Sequence, residues 1–452
     1  MTRTATSALT LVLGSLLACG QMPGPVDGGT GGGRAGGSAG GGAAGGFTIV
    51  DLDADTRGLF WHAMAVDPTD ARVVVAYYAP RGTRTVMDID DLDLKVVEWR
   101  DGQVTNRQTL RFMQRTAGLS VAIHPVTKEP TVGFLGGPDR FVPGASVFWF
   151  QNDAALFTRS GTTWTETTVR TDGDICTSAG SPTNGSVVGL FPALRFDATG
   201  RLVFVWRDIR FASFPTDYTG SDLESVEGPL GNLTPRCVYE GFTGDKLGRG
   251  ARLMVSPGPN DETLLVYDQQ VQRADTNGQD VVLQRRLANG TWTPPTRALS
   301  SPNTQTGPQV AFDPMEGAGV AVIRGSTLVY RRLPDVADPS TWEAEQQVVS
   351  EGSGGWYPSL AISPLTHAPA VAFYACSRTS GVPETDCQTS QDALRLSTRT
   401  GDVWPSPVTV DEEGGWLPRL GVLASGKRVV VYRVPNTRDQ TRAGALKLAV
   451  ER

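Results

Sequence analysis

Trp61, His62, Phe191, Trp356, Tyr357 and Trp416 open short apolar segments, and Arg207, Asp208, Asp268, Arg324 and Arg433 close the segments that follow them. Aromatic faces stack on sugars and peptide side chains, while planar guanidiniums and carboxylates add bidentate hydrogen bonds. That combination is binding chemistry, suited to a glycan or a protein. A second group, Arg195, Arg252 and Arg419 with Gln309, lies inside the opening segments. Guanidiniums gathered in a narrow space repel one another unless an anion or acidic side chains join them. The blander alternative for both groups is internal: aromatics wedged between packed segments, and Arg paired with Asp208 or Asp268.

Bond-breaking chemistry has less to draw on. The chain holds three His. His124 and His367 fall in turns, and His62 has no Cys or evident Ser nucleophile beside it. GxSxG, HExxH, CxxCH and phosphate-loop patterns are absent. Carboxylate pairs for glycoside hydrolysis are defined by spatial separation, so a carbohydrate-active hydrolase or lyase stands as the alternative. "DLDAD" (Asp51, Asp53, Asp55) and "DIDDLD" (Asp88, Asp90, Asp91, Asp93) carry oxygens of the kind calcium takes. The first run has Thr56 where a calcium loop needs Gly, and no closing Glu. No cofactor is expected, and calcium is the one ion either run could hold.

The elements that must position these residues repeat. "HAMAVDPTDARVVVAYY" (62–78), "LSVAIHPVTKEPTVGFL" (119–135) and "PALRFDATGRLVFVWRD" (192–208) share one pattern. It returns at 251–268, 308–324, 358–374 and 418–433. Between copies, stretches such as "DALRLSTRTGDVWPSPVTV" read as a strand, a Gly-containing hairpin and a strand. Four strands per copy, at a spacing of roughly 60 residues, indicate propeller blades.

In the first strand, Met64, Val121, Leu194, Leu253, Val310, Leu360 and Leu420 form one column. Val66, Ile123, Phe196, Val255, Phe312, Ile362 and Val422 form another two residues on. Strand alternation puts both columns on one side, between blades. The column between them is mostly small, as innermost strands around an axis require. The last copy ends after its third strand, and residues 47–52 supply the fourth, with Asp51 aligned to Asp411. The expectation is an all-β, seven-bladed propeller of four antiparallel strands per blade, closed by its N-terminal strand and monomeric.

The repeats resemble those of exported bacterial propellers. The "GTTW", "NGTW" and "GDVW" hairpins resemble Asp-box turns of sialidase-like proteins, without the box's Ser and Asp at matching positions. This resemblance implies architecture alone, since the fold hosts many functions. At the N-terminus, Arg3, an apolar run and "LLACG" resemble the lipobox of bacterial lipoproteins. The resemblance implies cleavage after residue 18 and a lipidated Cys19. Gly20 stands where an inner-membrane retention signal would carry Asp, so the outer membrane is the expected address.

Three segments follow: a signal peptide over 1–18, a lipidated Cys and Gly-rich tether over 19–46, and a propeller over 47–452. The tether cannot bury enough apolar surface to fold, and spans roughly 30 Å. Loss of Arg3 with the signal moves the formal charge from −6 to −7. With both signs mixed along the chain, nucleic acid is excluded as a partner.

Cys176, Cys237, Cys376 and Cys387 make an even set in an exported chain, favouring disulfides. Cys376 and Cys387 flank one loop and pair, leaving Cys176 with Cys237. A metal site is the rival reading, but no CxxC or clustered His supports it. The long connections, near 79–92, 136–145, 171–190, 209–221, 268–279 and 375–392, all emerge on one face. The tether joins the opposite face. The expected function is a lipid-anchored binding or scaffold propeller offering a membrane-distal surface to an envelope protein or glycan.

Overall fold

The computed structural model of the chain describes residues 46–54, 61–67, 69–81, 92–113, 118–137, 153–171, 175–176, 185–213, 217–240, 253–272, 277–301, 307–324, 327–349, 356–375, 393–434 and 444–452. They form seven four-stranded antiparallel sheets. The innermost strands are β2 (His62–Val66), β6 (Leu119–Ile123), β10 (Gly185–Phe196), β14 (Met254–Pro257), β18 (Gln309–Asp313), β22 (Trp356–Ile362) and β26 (Trp416–Val422). Each neighbours the next, and β2 meets β26, so the ring closes. The blades are numbered 1 to 7 from β2 onward.

Blade 7 takes its outer strand from the other end of the chain. β1 (Phe47–Asp53) pairs antiparallel with β28 (Ala445–Glu451). Val450, Ala449 and Leu448 meet Thr48, Ile49 and Val50, and the amide of Arg452 donates to Gly46 O at 2.9 Å. Both ends of the propeller therefore sit on one face, called the lower face here. The register, with a bulge between Asp51 and Asp53 that β25 (Val408–Asp411) shares, corrects the sequence alignment by two residues. Asp53 lies opposite Leu446 as Asp411 lies opposite Leu394, so Asp53, not Asp51, is the counterpart of Asp411.

The core sits between blades, where apolar columns from adjacent sheets interlock. Val73, Val75 and Tyr77 of blade 1 pack with Val429, Val431, Leu446 and Leu448 of blade 7, and Leu52 of the closing strand joins them. A side chain on Gly421 would come within 2.5 Å of Val66, which is why this innermost position of blade 7 has none.

On the lower face, features recur every second blade. Asp67, Asp197 and Asp313 of blades 1, 3 and 5 each fold a turn by accepting backbone amides two to four residues ahead. A residue from the following blade then crosses the seam. Lys128 Nζ reaches Asp67 at 3.3 Å, and His367 Nδ1 reaches Asp313 at 3.0 Å. Blades 2, 4 and 6 also carry an Arg–Trp hairpin clamped on the preceding blade. Arg159, Arg286 and Arg399 pair with Glu98, Glu227 and Glu316. Trp164, Trp292 and Trp404 donate through Nε1 to Gln108, Glu227 and Gln346. These are the Trp residues of the Asp-box-like hairpins. The ring is thus three two-blade units and a single closing blade.

The upper face departs from expectation in blades 3 and 4. The stretches 209–221 and 268–279, expected as loops, are largely strand. β11 (Leu202–Ser213) and β12 (Asp217–Gly228) stay paired to Ser213 and Asp217, and β15 (Thr263–Gln272) and β16 (Asn277–Arg286) to Gln272 and Asn277. Counted from the column of Val66 and Val255, blade 4 stays paired to Gln272 just as blade 1 does to Pro80, and only blade 3, paired to Ser213, rises higher. β10 joins β11 as far as Gly185–Arg210, so blade 3 raises a three-stranded extension.

Candidate functional site

The upper mouth of the channel is shaped by an irregular entry into the innermost strands. Phe191, Tyr357 and Leu417 have φ of 49°, 52° and 52° and precede Pro192, Pro358 and Pro418. Left-handed backbone is unfavourable for bulky residues, so packing must hold it. Strand register slips at each of these points.

The packing is aromatic. Phe191 meets the edge of Trp61 at 5.9 Å, although blade 2 stands between their blades. The meeting is possible because Gly118 of blade 2 has no side chain; a Cβ there would lie 2.9 Å from Phe191 Cα. On the other side, Trp416 contacts Tyr357 at 5.8 Å and Tyr374 at 5.3 Å.

This packing decides the fate of the expected stacking surface. Trp356, Tyr357 and Trp416 are 6%, 4% and 2% exposed, so their faces meet other side chains rather than solvent. The left-handed kink turns each rim residue in between blades. Trp61 alone of the expected Trp residues is half-buried. Arg324 is exposed at the upper end of blade 5 and pairs with Glu345 at 2.9 Å.

His62 lies beneath Trp61 in the seam that closes the ring. It is 1% exposed, and its pKa falls well below the usual value through burial and the nearby Arg433 and Arg419 charges. Its ring nitrogens approach the carbonyls of Val431 and Leu417 without reaching hydrogen-bond geometry. Arg433 Nη2 donates to Tyr78 O at 2.7 Å, and burial draws its pKa down to about 10. Tyr77 donates to Asp53 at 2.7 Å, and Lys95 stands 3.9 Å from the same carboxylate. Tyr432 and Lys447 address Asp411 in the same way. His62 and Arg433 therefore belong to a closure lock.

The channel guanidiniums are accounted for internally where they are described. Arg195 interrupts the column of Ala65, Ala122, Ala311, Ala361 and Gly421. It donates to Glu262 O at 3.0 Å and Thr263 Oγ1 at 2.7 Å, and lies in the field of Asp197 and Asp261. Burial brings its pKa to about 10. Arg419 donates to Pro418 O at 3.1 Å, and Gln309 to Pro308 O at 3.1 Å. Arg252 lies outside the described residues.

Blade 3 gathers buried acids, of which the sequence reading named Asp208 but not Asp222 or Glu224. Asp208 faces Asp222 across the β11–β12 ladder, with Glu224 two residues along. All three are fully buried, as is Asp268 of blade 4, and none is without a partner. Arg207, 6% exposed, is likewise engaged. Alternation along "SDLES" puts Asp222 and Glu224 on one face, a signal available in the sequence.

Cys176 and Cys237 are disulfide-bonded across 61 residues. The bridge pins the incoming chain to the outer strand of blade 3, where Ile175 N also donates to Glu224 at 2.8 Å. Cys19, Cys376, Cys387, Asp55, Asp88, Asp90 and Asp91 lie outside the described residues. Among those described, no group of three or more His, Cys, Asp or Glu is placed to hold a metal ion. His124 Nδ1 accepts the amides of Val126 and Thr127, so this His folds a lower-face turn.

No known protein family matches the chain, and no curated protein matches it either. Solved structures similar to it are remote in sequence. A mutant of AofleA from Arthrobotrys oligospora is 13% identical, with a TM-score of 0.43 over 81% of this chain and 90% of its own. NanB sialidase from Streptococcus pneumoniae is 11% identical, with a TM-score of 0.45 over 90% and 71%. Penicillium chrysogenum α-L-arabinanase, complexed with arabinobiose, is 12% identical, with a TM-score of 0.45 over 89% and 97%. The seven closed sheets, not these likenesses, define the chain as a seven-bladed β-propeller.

Proposed function

We propose that the chain is a recognition propeller of the cell envelope that binds a protein or glycan on its upper face without transforming it. The observation that carries this reading is the raised wall on blade 3, where β11 and β12 stay paired to Ser213 and Asp217, above the other blades. A disulfide holds the chain against the base of this wall. Elaboration on a rigid scaffold is where binding function concentrates. Trp61 and Arg324 sit on the same face with part of their surface open.

The chain enters the propeller at Gly46 on the lower face. A lipidated Cys19 and the Gly-rich tether would therefore leave the wall facing away from the outer membrane. The test is capture from detergent-solubilised envelope by the chain and by a variant whose β11–β12 hairpin is cut back to Asp208 and Asp222. A species held in stoichiometric amount by the first and lost by the second supports the reading. Equal capture by both removes it.

A second reading, a glycoside hydrolase or lyase, is favoured by the facing carboxylates of Asp208 and Asp222. It requires turnover of a glycan that disappears in Asp208→Asn and Asp222→Asn.

A further inference from the structure

We infer that the lower seam between blades 3 and 4 is a binding site for a small anionic ligand bearing a carboxylate or phosphate. A cleft of about 340 Å³ opens there, whose lining includes Asp197, Arg201, Arg236, Asp261, Arg286 and Asn289. In the equivalent seams a nitrogen-bearing side chain from the second blade crosses, Lys128 to Asp67 and His367 to Asp313. Blade 4 instead sends across Asp261, which accepts the amide of Ala198 at 3.2 Å. The three crossing residues share left-handed φ values of 60°, 57° and 62°.

Two local insertions open the space. The blade 4 inner hairpin continues to Pro257–Thr263, two residues below its Val255 column, whereas blade 2 stops at Ile123–Pro130. The Arg–Trp hairpin of blade 4, "RLANGTW", has one residue more than "RSGTTW" and "RTGDVW".

The free chemistry in the cleft is that of donors. Glu227 is committed to Arg286, Trp292 and Ser225. Asp197 Oδ1 takes three donors from its own turn, and Arg195 lies behind both Asp197 and Asp261. The guanidiniums of Arg201 and Arg236 have no hydrogen-bond or ion-pair partner among the described residues, and both residues are exposed. Guanidiniums without carboxylates suit an incoming oxyanion, which they hold by paired hydrogen bonds. The volume admits a ligand about the size of a single sugar ring or a phosphate ester.

The full-length chain would be titrated by calorimetry, at low ionic strength, with glucuronate, with inorganic phosphate and with glucose as the uncharged control. An Arg201→Ala, Arg236→Ala variant is compared, with Arg100→Ala, Arg324→Ala at two exposed residues outside the cleft as a charge-matched control and circular dichroism to confirm folding. The expected result is saturable binding of at least one anion, weakened tenfold or more in the double variant only, and none of glucose. Preference between glucuronate and phosphate assigns the charged group. No saturable binding of either anion, or equal binding by the folded double variant, would overturn the proposal.

Discussion

Lys128 of blade 2 and His367 of blade 6 reach back to an Asp of the preceding turn and fill the seam between their blades. Blade 4 reaches back with Asp261, and the seam stays open. On the upper face blade 3 of the same pair carries the extended ladder. Yet the clamp beneath is retained: Arg286 and Trp292 hold Glu227 as Arg159 and Trp164 hold Glu98 and Gln108. The difference shows how a repeat is specialised. The buried inter-blade contacts stay constant, and the turns above and below them vary, because only the turns can lengthen without disturbing the packed columns.

The largest expected effect tests the shared part. Glu227→Ala strands Arg286, only 6% exposed, and should destabilise the fold by about 3–5 kcal/mol, a loss typical of breaking a buried ion pair. Glu98→Ala, which strands Arg72 and Arg159, should cost a similar amount in chemical denaturation. A much smaller loss at Glu227 would mean that the open seam has also loosened the clamp. Next comes the disulfide peculiar to blade 3. Cys176→Ser with Cys237→Ser should lower stability by about 2–4 kcal/mol. It should also raise hydrogen exchange at Ile175 and along β12 more than in blades 1 and 2.

The closure seam gives a pH-dependent contrast. His62 is held neutral in the folded chain, with its pKa well below the unfolded value near 6.5. Unfolded chain therefore takes up the proton first as pH falls. The stabilisation is complete above about pH 6.5 and is lost below it, by at most ~1.4 kcal/mol per pH unit. His62→Phe should flatten that slope in denaturation curves between pH 6.5 and 5, whatever its effect at neutral pH. An unchanged slope would place the titration elsewhere.

The smallest effects separate the two kinds of lower seam. Lys128→Gln should cost about 0.5 kcal/mol, the worth of a partly exposed pair. Arg201→Gln and Arg236→Gln should change stability by less than that, because neither guanidinium has a partner to lose. A clear loss at Arg201 or Arg236 would show that the cleft is held shut by contacts of its own.

The blade number, the closing strand and the Cys176–Cys237 bridge were legible in the sequence, because columns such as Val121, Leu194 and Leu253 repeat at fixed positions and burial fixes their side. Exposure of the rim was not. Trp356, Tyr357 and Trp416 carry the composition of a stacking surface, but a left-handed residue before Pro358 and Pro418 turns them inward, and residue type does not reveal that turn. The same limit moved the Asp411 counterpart from Asp51 to Asp53, since the stretch to the next innermost strand is longer after Asp53 than after Asp411 and a change of length carries no compositional mark. The stretches at the tops of β11–β12 and β15–β16 read as loops because "FPTDYTGSD" and "RADTNGQD" have the polar, Gly- and Pro-containing composition of turns. The two-blade unit was visible in Asp67, Asp197 and Asp313 set against His124 and Ser363, but only contacts across the seams give that alternation its meaning.

Hydrogen-exchange mass spectrometry of the full-length chain, alone and with solubilised envelope, tests the specialisation of blades 3 and 4 most directly. The account expects new protection in 202–228, on the raised strands, with blades 1, 2, 5 and 6 unchanged. Protection confined to those other blades, or none anywhere, would contradict it.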